Sequence, residues 1–242
     1  MERILLLACF ALLILTNPSN AQDEHASTGE NDSPATVASF LNSLKSDNLK
    51  YYMAHKIEFF SELAKGQHPT ATIVTCSDSR VQTNMIDDAP EGQLFMIRNI
   101  GNQLTTAEGS VEYGVHHLHT PVLLFIGHSR CGAIAAATGN YAKESPFIKR
   151  ELDTITISKD LNNIDGVRAN IHNQVASAML KFDDEVKEGK LTVIGAIMDF
   201  ADDLHQGTGK LSFINVNGET DANKLNNIEA VLKAKRAKLQ KK

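Results

Sequence analysis

Short apolar runs alternating with amphipathic, helix-length stretches predict an α/β protein. It has a mostly parallel central sheet of four strands plus an antiparallel edge strand, helices on both faces, and an N-terminal helical arm. Three observations carry this. The runs 71–75, 94–98, 122–126 and 191–198 are apolar, strand-length and separated by helical patterning. A fifth run, 211–216, follows Gly207-Thr208-Gly209 and ends at Asn217-Gly218, a hairpin dipeptide that makes it the antiparallel edge. Two amphipathic helices precede the first strand.

The elements follow in order. Arg3 and the apolar run 4–15, broken by Thr16-Asn17-Pro18-Ser19 and ending in Ser19-Asn20-Ala21, read as a signal peptide over 1–21 cleaved after Ala21. The run is too short for a comfortable membrane span. The mature protein is then expected in the periplasm or outside the cell, free of the membrane. Residues 22–33 are a polar, acidic leader, and 34–242 form a single domain that includes the arm over 34–66. Ser33 caps a first helix with Pro34 at its first position, and Val37, Phe40, Leu41 and Leu44 follow at helical spacing. A second helix over 47–65 carries Leu49, Tyr52, Met53, Ile57, Phe60 and Leu63, and Gly66 ends it. Such an arm packs on its own domain or on a partner chain. Within the body, helices are expected over 107–118, 133–138, 145–154 and 164–188. A Lys-rich tail helix starts near 222.

Composition narrows the function. The 242 residues, 42% hydrophobic, suffice for one substantial core. A formal charge of -5, with no basic stripe outside the extreme C-terminus, argues against nucleic acid. Trp is absent and aromatics make up only 6%, so aromatic platforms for sugars or bases are not expected. His116, His117 and His119 crowd one helix, but their spacing suits surface or packing roles.

The chemistry concentrates at two strand ends. Cys76-Ser77-Asp78-Ser79-Arg80 follows the first apolar run, and His128-Ser129-Arg130-Cys131-Gly132 follows the third. Ligand sites in open α/β sheets lie at such strand C-termini. Cys76 and Cys131 could pair as a disulfide in an oxidising compartment. The H-x-x-C spacing of His128 and Cys131 offers the alternative, a two-cysteine, one-histidine set suited to Zn2+. Its fourth position is open to water, or to Asp78 as a structural ligand. Asp78 and Arg80 can form a bidentate ion pair that fixes an ionised carboxylate beside the metal.

Cys76 to Val81 followed by His128 to Gly132 resembles the signature of the β-class carbonic anhydrases, in their plant-like branch. The resemblance runs over 65–136 and includes Gly66-Gln67-His68-Pro69, the stretch 92–99 and the stretch 108–113. It implies reversible hydration of carbon dioxide to bicarbonate and a proton by one Zn2+ per subunit. Cys76, His128 and Cys131 would hold the metal, with water or hydroxide fourth. In a closed form Asp78 takes that place and Arg80 loses its partner. The resemblance also implies catalytic roles for Asp78 and Arg80. Gln67, Phe95, Ile100 and the amide of Gly132 would bind substrate in a homodimer or homotetramer, with the Gln67-type and Phe95-type residues supplied by the other subunit. Two departures stand out. The loop 101–108 is short and lacks a pocket Tyr, and without Trp a Trp-based bicarbonate site cannot be assembled. Competing readings are a zinc hydrolase of a CO2-like molecule such as carbonyl sulfide or carbon disulfide, and a non-catalytic zinc module.

Overall fold

The computed structural model describes residues 34–228. The expected signal peptide, the leader and most of the Lys-rich tail lie outside the described residues. The described chain divides into two compact units after Phe60.

The first unit is helical. The sequence predicts a break near residue 46, but α1 runs unbroken over Pro34–Ala54. Ser46-Asp47-Asn48 resembles a capping signal, yet Asp47 pairs with Lys50 one turn on at 2.7 Å, a contact helical backbone provides. The chain breaks at His55, whose ring Nδ1 lies 2.7 Å from the Tyr51 carbonyl. α2 (Ile57–Leu63) follows. None of the residues of α1 or α2 is buried.

The second unit is built on β1 (Ala71–Cys76), β2 (Leu94–Asn99), β3 (Val122–His128), β4 (Thr192–Asp199) and β5 (Lys210–Val216), in the order β2-β1-β3-β4-β5. The first four are parallel and β5 is antiparallel to β4. Strand pleating sends alternate residues to opposite faces. Val74, Leu123, Phe125, Val193 and Ile197 face one core, and Ile73, Leu124, Ile126, Ile194, Ala196 and Met198 face the other. On the first face α6 (Asn163–Lys181) lies against β3 and β4. It approaches so closely that a Cβ on Gly195 would stand 2.5 Å from Ile171 Cγ2. The second face takes Leu225 of α8 (Ala222–Leu225), together with Ile86, Phe200 and Ile228.

The expected 145–154 helix is α5 (Pro146–Leu152), capped by Ser145. Two other helices differ from their expected form. The 107–118 helix is a 3-10 turn (Thr105–Ala107), then α3 (Glu108–Glu112), then a π turn (Tyr113–His117). Thr120 hydrogen-bonds both Thr72 on β1 and the Gly114 carbonyl, which widens the last turn against the sheet. The expected 164–188 helix divides at Phe182 into α6 and α7 (Asp183–Lys187). Phe182 is fully buried and leaves the helical conformation to get there.

Candidate metal centre

Parallel pairing decides which side chains meet. Cys76 ends β1, His128 ends its neighbour β3, and both therefore emerge at one edge of the sheet. Arg130, at φ 54°, turns the chain so that Cys131 becomes the N-cap of α4 (Gly132–Thr138). The sulfurs of Cys76 and Cys131 and a ring nitrogen of His128 lie within 4.8 Å of one another, and all three residues are buried. Both cysteines are free thiols, which removes the disulfide alternative.

These residues fit a zinc ion. Tetrahedral zinc with its usual bond lengths sets sulfur and nitrogen ligands about 3.5–3.8 Å apart. His128 Nε2 is buried without a hydrogen-bond partner. Its Nδ1 lies 3.1 Å from the Ser129 carbonyl, which can only accept, so the proton belongs on Nδ1. Nε2 thus keeps its lone pair, facing two thiols. An orphaned acceptor so placed is costly unless a cation occupies the space between.

The sulfurs titrate as a pair. The Cys131 thiol donates to Cys76 and outweighs the opposing effect of burial. The N–H groups of Gly101 and Asp78 add to it, and Cys76 is lowered to about 4. Cys131 is pushed well above the ordinary thiol range by that same bond, by burial and by the neighbouring thiolate. Near neutrality the metal-free pair thus holds one proton, which zinc must displace. Zinc affinity is expected to rise about tenfold per pH unit between about pH 6 and 8. A chelator competition series would show this, and a flat profile would contradict the shared proton. Backbone N–H groups of Ile134 and Ala133 also point at Cys131. Four amides thereby draw charge off the two sulfurs, leaving more positive charge on a bound metal.

Asp78 stands beside this set. Arg80 grips it with Nε on Oδ1 at 2.9 Å and Nη2 on Oδ2 at 2.7 Å, and the Arg80 N–H adds a third bond at 3.0 Å. The guanidinium holds the Asp78 carboxyl well below the usual carboxylate range. Asp78 Oδ2 is 3.6 Å from His128 Nε2. An ionised oxygen therefore faces the position a metal and its water would occupy.

The carbonic anhydrase family profile matches residues 71–208, more than half of the chain. The protein belongs to the β-class carbonic anhydrases. It is similar to a carbonic anhydrase of Synechococcus elongatus, with 39% identity over 101 residues, 39% of this chain and 37% of that one. It is also similar to carbonic anhydrase 2 of Mycobacterium tuberculosis, with 28% identity over 165 residues, 62% of this chain and 79% of that one. Its fold matches a structure of tetrameric β-carbonic anhydrases from Sordaria macrospora, at TM-score 0.60 and 27% identity, covering 74% of this chain and 98% of that one.

Membership of this family frames the remaining positions. Ile100 and Gly132 lie at the metal edge, and a Cβ on Gly132 would meet nothing within 4 Å, so this side of the site is open. Gln67 is exposed and precedes β1, at the far end of the strand from Cys76. Phe95 pairs with Thr72, four residues before the Asn99 that pairs with Cys76. The chain does not bring Gln67 or Phe95 to its own metal centre.

Other residues of this carbonic anhydrase site escaped the sequence reading. Arg98 donates to the carbonyls of Cys76 at 3.2 Å and Asp78 at 2.7 Å, bracketing the pentad. Asn163, at the start of α6, both accepts from the Cys131 N–H and donates to the Cys131 carbonyl, each at 3.0 Å. Gln103 and Asn170 each donate to the Gly101 carbonyl, at 2.6 and 3.0 Å, and Gln174 closes a buried amide network with both. Gly101 itself sits at φ 76°, and a Cβ there would lie 2.7 Å from Ile155 Cδ1. Gly101→Ala is expected to cost about 1–3 kcal/mol. That corresponds to a fall in melting temperature of roughly 2–10 °C, and an unchanged melting temperature would show that the loop relaxes freely.

Proposed function

We propose that the protein catalyses the reversible hydration of carbon dioxide to bicarbonate and a proton, with Zn2+ held by Cys76, His128 and Cys131. The observation that carries this is the buried, partnerless Nε2 of His128 between two thiols, with an ionised carboxylate at its side.

Zinc supplies a Lewis acid that makes water a nucleophile near neutral pH. The chain does the rest. Asp78 Oδ2 accepts a hydrogen bond from the attacking water and fixes where its lone pair points. Arg80 keeps that oxygen charged and in place. The Gly132 N–H, beside Cys131, donates to a developing carbonate oxygen. The open face over Gly132 admits a small apolar substrate. Proton release from the Asp78 region leads directly to solvent through the half-exposed Arg80 side. Stopped-flow hydration assays on zinc-loaded protein test the proposal. Turnover with carbonyl sulfide but none with carbon dioxide would reassign the substrate.

The family resemblance gives Gln67 and Phe95 substrate-binding roles, and their distance from the chain's own metal centre supports a second copy presenting them, in a homodimer or a homotetramer. The tetrameric state of the Sordaria enzymes supports the larger form. Light scattering on the zinc-loaded protein decides it, and a monomer with full activity would refute the shared pocket. The N-terminal segment is the signal for export to the periplasm or beyond. N-terminal sequencing of protein from the producing cell would find Gln22 first, whereas an intact N-terminus would contradict cleavage.

A further inference from the structure

Phe200 is the first residue beyond β4, at the same sheet edge as the metal ligands. Its backbone is pinned. The Phe200 N–H donates to Ser129 Oγ at 2.7 Å, and the Ser129 N–H donates to the Met198 carbonyl at 3.0 Å. Ser129 is fully buried and adjoins His128. The turn after Phe200 is held by the buried carboxylate of Asp199, which accepts from Ala201 and Asp203 at 3.1 Å and from Leu204 at 2.8 Å. The backbone that carries the ring is thereby fixed relative to the ligand set. It lies 5.5 Å from Arg80 Cζ and 6.1 Å from the His128 ring.

Arg80 is otherwise poorly enclosed. Its side chain is 42% exposed, and among the described residues its hydrogen bonds beyond Asp78 go only to the Arg130 carbonyl, at 3.1 Å. Asp78 needs little movement to enter the ligand set, since Oδ2 already lies 3.6 Å from His128 Nε2. What holds it back is the guanidinium, and an aromatic face attracts a cation while excluding water from its ion pair.

We propose that Phe200 is a positioning residue for the Arg80–Asp78 pair: its ring, pinned through Ser129 and Asp199, keeps the guanidinium on the carboxylate and the carboxylate off the metal. The inference rests on the zinc-site reading above. Its test uses cobalt-loaded protein titrated with azide and followed by visible absorption, because azide needs the position that Asp78 would otherwise take. Phe200→Ala is expected to weaken azide binding about three- to tenfold. Phe200→Trp restores it. In an Asp78→Asn background, where the competing carboxylate is gone, Phe200→Ala has no effect. Equal weakening in both backgrounds, or none in either, overturns the proposal. Phe200→Leu keeps the bulk without the aromatic face and gives the same comparison if the alanine variant does not fold. The readout needs no carbon dioxide. Protein that binds cobalt and azide but hydrates nothing would refute the proposed activity and leave this result standing.

Discussion

Cys131→Ser is expected to abolish stoichiometric zinc and, with it, carbon dioxide hydration. Serine is nearly the same size, so the N-cap position survives and the Asn163 clamp on the backbone is untouched. What is lost is the soft anionic donor. An alcohol at this site would have to give up a proton held far more tightly than that of a thiol. Losing an outer partner of a metal ligand costs about 10–100-fold in affinity, and losing the ligand itself exceeds that. Metal analysis after dialysis reads the outcome, and circular dichroism separates it from unfolding. One zinc per chain in this variant would mean that Cys131 is not a ligand.

Asp78→Asn is expected to retain zinc and to lower turnover about 10²-fold. The amide keeps the shape but cannot carry the charge that both Arg80 bonds recognise. It also turns one oxygen into a donor, which would misdirect the water. Since Arg80 holds the wild-type carboxyl below its ordinary range, Asp78 stays ionised in the native state at acid pH values where the unfolded chain has already protonated it. The stabilisation it brings is therefore full at neutral pH and fades as pH falls into the acid range, by an amount that the partial exposure of the pair keeps small. The asparagine variant should lack that acid-side dependence. Collapse of the metal content would instead identify Asp78 as an obligatory ligand.

The metal set was legible because its parts are local. Cys76 ends an apolar run, and His128 and Cys131 are three residues apart, so spacing and strand-end placement are enough to bring them together. The five strands were legible for a similar reason, since buried strands are short apolar runs with turn signals around them. What failed was segmentation. Ser46-Asp47-Asn48 carries capping chemistry that a helix of 21 residues absorbs. Phe182 keeps the helical period while its backbone does not. The supporting residues failed for another reason: Asn163, Asn170 and Phe200 act on residues roughly 30 to 120 positions away, and no window joins them. Asp199 did leave a trace, an acid closing an otherwise apolar strand at the sheet edge where ligands sit. Gln67 and Phe95 were found by resemblance alone, and the single chain gives them no work near its own zinc ligands.

The amide network around Gly101 has a kinetic meaning. Gln103, Asn170 and Gln174 are all buried, and with Asn99 they satisfy the Gly101 carbonyl, both peptide groups of Gln103 and the Leu104 N–H. Such groups open only when the surrounding core opens. In metal-free protein the backbone hydrogens of Gln103 and Leu104 are therefore expected to exchange with deuterium as slowly as those of β3. Fast exchange there would mean that zinc builds its own site. Slow exchange would mean that the cradle is finished before the ion arrives, and that removing and returning the metal is a matter of filling a vessel, with no refolding between.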